Sequence, residues 1–272
     1  MKMAVIGCGL IGGSMALSWK RAGIVDEVIA FGHNPATLQK ALDKGAADTV
    51  TTSMEEAVKD ADIVVSAVPV EAMESVFTEM APFLKSDAVV TDVGSTRQTV
   101  IAAARKGLGD KFHQYAPAHP IAGGEMPGVD YASADLFDEK VVISTPDEGM
   151  DPKVVTFIEE AWRKAGARVQ AMSPLQHDLT FASVSHLPHV LAYALVDMIA
   201  REENAQEKLK MAGAGFRDFT RIASSSPVMW RDICLSNREA LSHELKRYRA
   251  SLDTLQKYID ESDGKALESV FE

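Results

Sequence analysis

Met3-Ala4-Val5-Ile6-Gly7-Cys8-Gly9-Leu10-Ile11-Gly12 is the stretch that decides the fold. Four apolar residues read as a buried strand. They run directly into a G-x-G-x-x-G loop, and Ser14-Met15-Ala16-Leu17-Ser18-Trp19 continues as a helix. Between strand and helix the three glycines have separate duties. Gly7 permits the tight turn, Gly9 lets the backbone approach a pyrophosphate, and Gly12 lets the helix pack closely on the strand. Across Leu10 and Ile11 the helix begins, with free N–H groups and the positive end of its dipole turned toward phosphate oxygens. The bland alternative is a glycine-rich turn without a ligand, which the strand-loop-helix context disfavours.

Outward from this loop the texture stays regular. Strands are predicted at Glu27-Val28-Ile29-Ala30-Phe31, at 62–68 with an abrupt stop at Pro69, and at Ala88-Val89-Val90-Thr91-Asp92. Further strands are predicted at 115–118, 141–144 and 168–171, and helices fall between most of these strands. Such alternation implies a parallel sheet with right-handed crossovers. From Ser173 strand signals vanish, and helices are predicted over 174–200, 207–211 and 232–258. The predicted architecture is an α/β Rossmann-like dinucleotide-binding domain over residues 1–172, followed by an all-α domain over 173–272.

The 272 residues carry a net charge of −11 and are 46% hydrophobic. The acidity argues against nucleic acid as a partner, and an anionic ligand would need a local basic site. No apolar run approaches the roughly 20 residues of a membrane span, so no membrane association is expected. Met1-Lys2-Met3 leads straight into the first strand, so no signal peptide is expected. The two cysteines, Cys8 and Cys234, offer neither a disulfide framework nor zinc spacing. A cytoplasmic location is the natural expectation.

The end of the second strand bears on cofactor choice. Folds specific for NAD place an acid there, on the ribose diol. This chain has Phe31-Gly32-His33-Asn34 instead. Gly32 removes a charge that would repel a 2′-phosphate, and His33, Asn34 and Thr37 can donate to one. NADP is therefore expected ahead of NAD, although no arginine clamp is present. Val68 and Pro69, where the next strand stops, complete the predicted cofactor edge.

Ligands of such sheets sit beyond the carboxyl ends of the strands. Ser95 and His119 occupy that edge. A histidine there can accept a hydroxyl proton as hydride leaves the same carbon. Singly, each also reads as a loop residue or a helix cap. In the helical part, His186 and His189 lie three apart. With His177 and Asp178 nearby a metal reading exists, but a third ligand at convincing spacing is missing and no metal is expected. Arg217 and Arg221 lie one helical turn apart, a pattern suited to a carboxylate. Ion pairing with Asp218, Asp232 or Glu239 is the alternative.

Several segments in order along the chain resemble the prephenate/arogenate (cyclohexadienyl) dehydrogenases of tyrosine biosynthesis. They are Gly7–Gly12, Asp92-Val93-Gly94-Ser95, His119-Pro120-Ile121-Ala122-Gly123, Ser185-His186-Leu187-Pro188-His189, Gly215-Phe216-Arg217-Asp218-Phe219-Thr220-Arg221 and Met229-Trp230-Arg231-Asp232. The resemblance implies oxidative decarboxylation of arogenate or prephenate, with hydride passing to a nicotinamide. It implies that His119 bonds the ring hydroxyl, that Ser95 orients it, and that His189 lies near substrate and cofactor. Arg221 matches the arginine for the ring carboxylate, Arg217 a basic residue near the side-chain carboxylate, and Glu125 an acid that helps gate the site. It further implies a homodimer through the helical domain, with Trp230 near the partner's active site, and makes tyrosine a candidate inhibitor. Gly124 departs from the family pattern, which often has threonine or serine there.

Two other classes keep part of the pattern. A non-catalytic NADP sensor would need the glycine loop but not Ser95, His119, His189 and Arg221 together. A 3-hydroxyacid or imine reductase of similar build would call on a helical-domain lysine, for which Lys208 and Lys210 are available in a polar stretch without the expected asparagine. The residues leave arogenate and prephenate both open.

Overall fold

The computed structural model describes residues 1–124 and 126–272, and the chain forms two compact units. Met1–Asp178 and Ser224–Ser236 make the first, and Leu179–Ala223 with Asn237–Glu272 make the second.

The first unit alternates strand and helix: β1 (Lys2–Ile6), α1 (Leu10–Arg21), β2 (Glu27–Phe31), α2 (Pro35–Asp43), β3 (Thr49–Thr51), α3 (Met54–Val58), β4 (Ile63–Ser66), α4 (Met73–Met80), β5 (Val89–Asp92), α5 (Gln98–Leu108) and β6 (Tyr115–Ala116). The strands form a six-stranded parallel sheet in the order β3-β2-β1-β4-β5-β6. Strand order reverses between β1 and β4, the switch point at which such sheets bind ligands. Because the sheet is covered on both faces, β1 is apolar at every buried position. Met3 and Val5 enter one core with Met15, Trp19 and Trp162, while Ala4 and Ile6 enter the other with Phe77, Met80 and Val100. The Trp19 and Trp162 rings meet edge to face at 5.5 Å.

β7 (Ala118–Pro120), β8 (Val141–Ser144), α6 (Pro152–Lys164) and β9 (Arg168–Ala171) follow. These strands make a separate sheet, β7 antiparallel to β8 and β8 parallel to β9. Here the sequence expectation needs correcting. One strand was expected through 115–118, with His119 beyond its end. Pro117 has no N–H for the ladder, and the chain divides there between two sheets. His119 is the middle residue of β7, opposite Ile143. β3 and α3 were not foreseen, the strand being only three residues at the sheet edge.

α7 (Pro174–Phe181) begins in the first unit, whose continuous part ends at Asp178, and its last residues belong to the second. A π-helical turn, Ala182–His186, leads into α8 (Leu187–Ala200), then α9 (Ala205–Lys210) and α10 (Ala214–Thr220). α11 (Pro227–Ser236) belongs again to the first unit, and α12 (Arg238–Asp260) and α13 (Gly264–Phe271) complete the second. The single helix expected over 232–258 is broken at Asn237, whose φ of −112° and ψ of 34° are not helical. The helical stretch Pro174–Ala200 also corrects the expectation that no membrane-length apolar run exists. It is 27 residues long, with a mean hydropathy of 1.4 over its most apolar window. The helix is the one expected over 174–200, but polar residues such as His177, Asp178 and His186 interrupt it, so no unbroken apolar run marks it in the sequence.

Candidate active site

The glycine loop has the geometry its spacing predicts. Gly7 has φ of +94°, and a Cβ there would lie 2.7 Å from the Ala67 carbonyl oxygen. A Cβ on Gly12 would press against Ala67 and Val5 at 3.0 Å. At Gly9 a Cβ would meet nothing within 4 Å, so the space before α1 is open. Gly9 is the N-cap of α1 and supplies no side chain to the first N–H groups. An open cradle of backbone N–H groups at the positive end of a 12-residue helix fits a dinucleotide pyrophosphate. Leu10 and Ile11 are half-buried in the first turn. Val68 borders the loop, 3.1 Å from the Gly7 Cβ position, and Pro69 is exposed just beyond it. Cys8 points away into the core, where burial pushes its thiol up to about 11 and keeps it protonated.

At the end of β2 the Gly7 N–H donates to the Phe31 carbonyl at 3.1 Å, which places Gly32 beside the loop. The exposed His33 ring stands edge-on to Phe31, with centroids 5.2 Å apart. Asn34 has a local duty that the sequence reading did not assign. Its Oδ1 caps α2, accepting from the N–H groups of Ala36 at 2.9 Å and Thr37 at 3.4 Å. Its amide nitrogen and the Thr37 hydroxyl, with the exposed His33 ring, can donate on this edge.

A buried polar cluster sits under β7. Arg97 and Asp92 are both fully buried, and the guanidinium grips the carboxylate through Nη1 and Nη2 at 2.9–3.0 Å. Tyr115 donates its hydroxyl to Asp92 Oδ1 at 2.6 Å. Burial opposes the Arg97 charge, but Asp92 outweighs it and the guanidinium titrates above its ordinary value. Burial, together with the Asp92 charge, holds the Tyr115 hydroxyl well above its usual range. Arg97 Nη1 also donates to the carbonyls of Gly94, at 2.9 Å, and Ala118, at 3.2 Å. Through this one side chain the loop carrying Ser95 and the strand carrying His119 are tied to the carboxyl end of β5. Ser95 and His119 are both half-buried.

Sequence reading missed the partners of His119. Its Nδ1 lies 2.8 Å from Nε2 of His177, a fully buried residue of α7. His177 Nδ1 in turn lies 2.9 Å from Asp178 Oδ1. Asp178 accepts from the backbone N–H groups of Arg97, at 2.7 Å, and Gln98, at 2.9 Å, at the start of α5. Burial raises the Asp178 carboxyl, but bonds from His177 and these two N–H groups outweigh it and hold it below its ordinary value. Burial lowers His177 against the opposing pull of Asp178. Two of the groups weighed for a metal site therefore serve each other. Among the described residues no cluster of three His, Cys, Asp or Glu is placed to hold a metal ion.

The remaining candidates divide between the units. Trp230, on α11, is 8% exposed in the first unit. His189, Arg217 and Arg221 belong to the second. The Arg221 N–H donates to the Arg217 carbonyl as α10 ends, so the two arginines stand one turn apart, both exposed. Asp232, one of the partners considered for them, pairs with Arg231 at 2.6 Å. His189 Nδ1 donates to the Ser185 carbonyl at 2.9 Å, leaving Nε2 as an acceptor. Burial lowers His189, and the Arg221 charge adds to that shift. In the same unit the buried His186 accepts from the Asn237 amide at 3.1 Å. Glu125 lies outside the described residues.

Comparison with known proteins gives this arrangement a family. Residues 15–171 match the prephenate dehydrogenase nucleotide-binding domain, and residues 173–272 match the prephenate dehydrogenase dimerization domain. The chain is 37% identical over 267 residues to the cyclohexadienyl dehydrogenase of Zymomonas mobilis, covering 97% of this chain and 90% of that protein. The Aquifex aeolicus prephenate dehydrogenase, solved with hydroxyphenyl propionate and NAD+, superposes with a TM-score of 0.92 at 35% identity. That match covers 99% of this chain and 94% of the other. Synechocystis arogenate dehydrogenase superposes with a TM-score of 0.82 at 27% identity, over 100% of this chain and 96% of the other. The chain belongs to the prephenate/arogenate (cyclohexadienyl) dehydrogenase family, the NAD(P)-dependent oxidoreductases of tyrosine biosynthesis.

Proposed function

We propose that this enzyme oxidatively decarboxylates arogenate or prephenate with a preference for NADP, and that His119 is its general base. The observation that carries the reading is the anchoring of His119. Arg97 ties Ala118 to Asp92 at the carboxyl end of β5, and this is the edge of the sheet at which such folds present ligands. The nicotinamide, when bound, takes up the hydride from the alcohol carbon. His119 accepts the hydroxyl proton as that hydride leaves. The carbon–carbon bond to the ring carboxylate breaks, its electron pair completes the aromatic ring and leaves the former hydroxyl oxygen as a phenolate, carbon dioxide departs, and the phenolate takes back the proton from His119. Ser95 orients the hydroxyl. Arg221 pairs with the ring carboxylate, Arg217 assists at the side-chain carboxylate, and His189 and Glu125 complete the substrate contacts.

Gly7, Gly9, Leu10, Ile11 and Gly12 would hold the pyrophosphate, with Val68 and Pro69 along the same edge. For the 2′-phosphate, support comes from Gly32 in place of an acid and from His33, Asn34 and Thr37 beside it. The relative solved with NAD+ is the counterweight. Residues 1–172 serve the cofactor and carry Ser95, His119 and Glu125, and residues 173–272 serve the rest of the substrate and a second copy of the chain. Exposed apolar side chains of the second unit, among them Val184, Met198 and Met211, supply a face for that copy. Trp230 belongs to the same proposal, as a residue near the partner's site. A cytoplasmic setting suits two free cysteines. Tyrosine, which is the product itself from arogenate and shares the phenol ring of the product from prephenate, is the inhibitor to test. Steady-state rates with both substrates and both cofactors test the reading. Higher kcat/KM with NADP supports it, and equal efficiency with NAD overturns the cofactor preference.

A further inference from the structure

We propose that His177 and Asp178 form a positioning relay behind His119, which fixes His119 as the Nδ1–H tautomer and makes Nε2 its basic nitrogen. This rests on the reading of His119 as the group that takes the hydroxyl proton.

The relay is directional from its buried end. Asp178 accepts two backbone N–H bonds at the start of α5, where the helix dipole also favours negative charge. Ionised, it has no proton to give, so His177 Nδ1 must carry the hydrogen of their 2.9 Å bond. A neutral imidazole protonated at Nδ1 keeps its lone pair on Nε2. That lone pair faces His119 Nδ1 at 2.8 Å, so His119 donates from Nδ1. A doubly protonated His177 would reverse the last bond, turning a donor on His119 and forcing the hydrogen to the wrong nitrogen. Two features resist that state: complete burial of His177, which lowers it, and the Arg97 charge nearby. Among the titratable and charged groups around the pair are His119 on β7, Arg97 ahead of α5 and Asp92 on β5, with Tyr115 on β6 bonded to the last two. Asp92 pulls the other way, but it is bonded to Arg97 and Tyr115.

The chemical consequence follows from the tautomer. When the substrate O–H bond breaks and an N–H bond forms at His119 Nε2, the ring becomes an imidazolium. Its Nδ1–H then points at an acceptor backed by a carboxylate. The charge is stabilised where it appears, and no proton need travel past His119. His177 and Asp178 act through His119 and need not touch the substrate.

The test uses the full-length enzyme with His177→Leu and His177→Gln, with His119→Asn as control. Histidine 15N chemical shifts read the tautomers directly, without turnover. Wild-type His119 is expected as Nδ1–H, shifting toward Nε2–H in His177→Leu. In that variant kcat should fall about tenfold or more, with substrate KM changing less than about threefold. The acidic limb of kcat should move to lower pH by about half a unit, because the imidazolium has lost its acceptor. In His177→Gln the amide can donate to Asp178 and accept from His119, so tautomer and most of kcat should return. Wild-type His119 found as Nε2–H overturns the relay. So does a loss of kcat in both variants with the acidic limb unmoved, which would mark His177 as merely structural. If His177→Leu does not fold, the wild-type shifts and the Gln variant still decide. Normal turnover in His119→Asn would instead sink the general-base reading, and the tautomer measurement would stand apart from it.

Discussion

In the first unit Arg97 is fully buried and gives hydrogen bonds to Asp92, Gly94, Ala118 and Tyr115, whereas in the second Arg217 and Arg221 stand exposed at the end of α10. The same residue type meets two dielectric environments. A guanidinium locked among buried partners contributes geometry, since every bond it makes fixes a loop or strand. An exposed guanidinium keeps its hydration and gives up little to exchange partners. One arginine is therefore architecture for a site, and the other two lie where solvent reaches them.

Removing the buried one is the most forceful way to break this contrast. Arg97→Met leaves Asp92 charged and buried, which should cost about 3–5 kcal/mol of stability. Urea unfolding at fixed protein concentration reads the loss, and a change below about 1 kcal/mol would mean that the cluster is not what holds β7 to β5. His119→Asn should come next, lowering kcat by about two orders of magnitude with a smaller effect on substrate KM. Near-normal turnover would separate the buried cluster from the chemistry. For Arg221→Ala the expected loss is about 1.5–3 kcal/mol of substrate binding, seen as a rise in substrate KM with cofactor affinity unchanged. Lysine at 221 should rescue only in part, because a point charge cannot make the planar fork. A strong loss of cofactor affinity instead would move Arg221 out of the substrate's company. The smallest effect is expected at the surface edge of β2. A Cβ at Gly32 meets Leu38 at an ordinary 3.4 Å, so Gly32→Asp should fold. Its charge should shift the NADP/NAD preference toward NAD by about tenfold, as repulsion across water-exposed distances allows. An unchanged ratio would place the 2′-phosphate elsewhere.

The glycine loop is legible in the sequence because its constraints are local. Gly7 needs a positive φ and Gly12 a close helix, and both are written within ten residues. The buried strands are legible for the same reason, since two covered faces demand unbroken apolar runs. What escaped the reading depends on distance along the chain. His177 reaches His119 across 58 residues, and Asp178 caps α5 from 81 residues away. No spacing rule connects such pairs. A signal was available in Asp178 itself, an acid beside a histidine in a helix with no other charged residue. Pro117 was the clue that the strand before His119 divides. Asn237 was a weaker one, as a break in a helix that its neighbours would have continued.

The π-helical turn at Ala182–His186 gives the stretch Pro174–Ala200 one residue more than a regular helix of its length would hold. Each residue of an α-helix advances the angular phase by about 100°. A widened turn absorbs the surplus locally, so α7 and α8 keep their faces while the side chains inside the turn are set apart from both. The two helices thus behave as a register with a spare count between them. Deleting Val184, which is 66% exposed, should let the ladder close as an ordinary helix, with circular dichroism almost unchanged. Deleting a residue from the first turn of α8 should instead rotate everything after it by about 100° and turn its buried Ala192 away from the core. The place where this chain tolerates a change of length is therefore set by the turn beside His186 and His189.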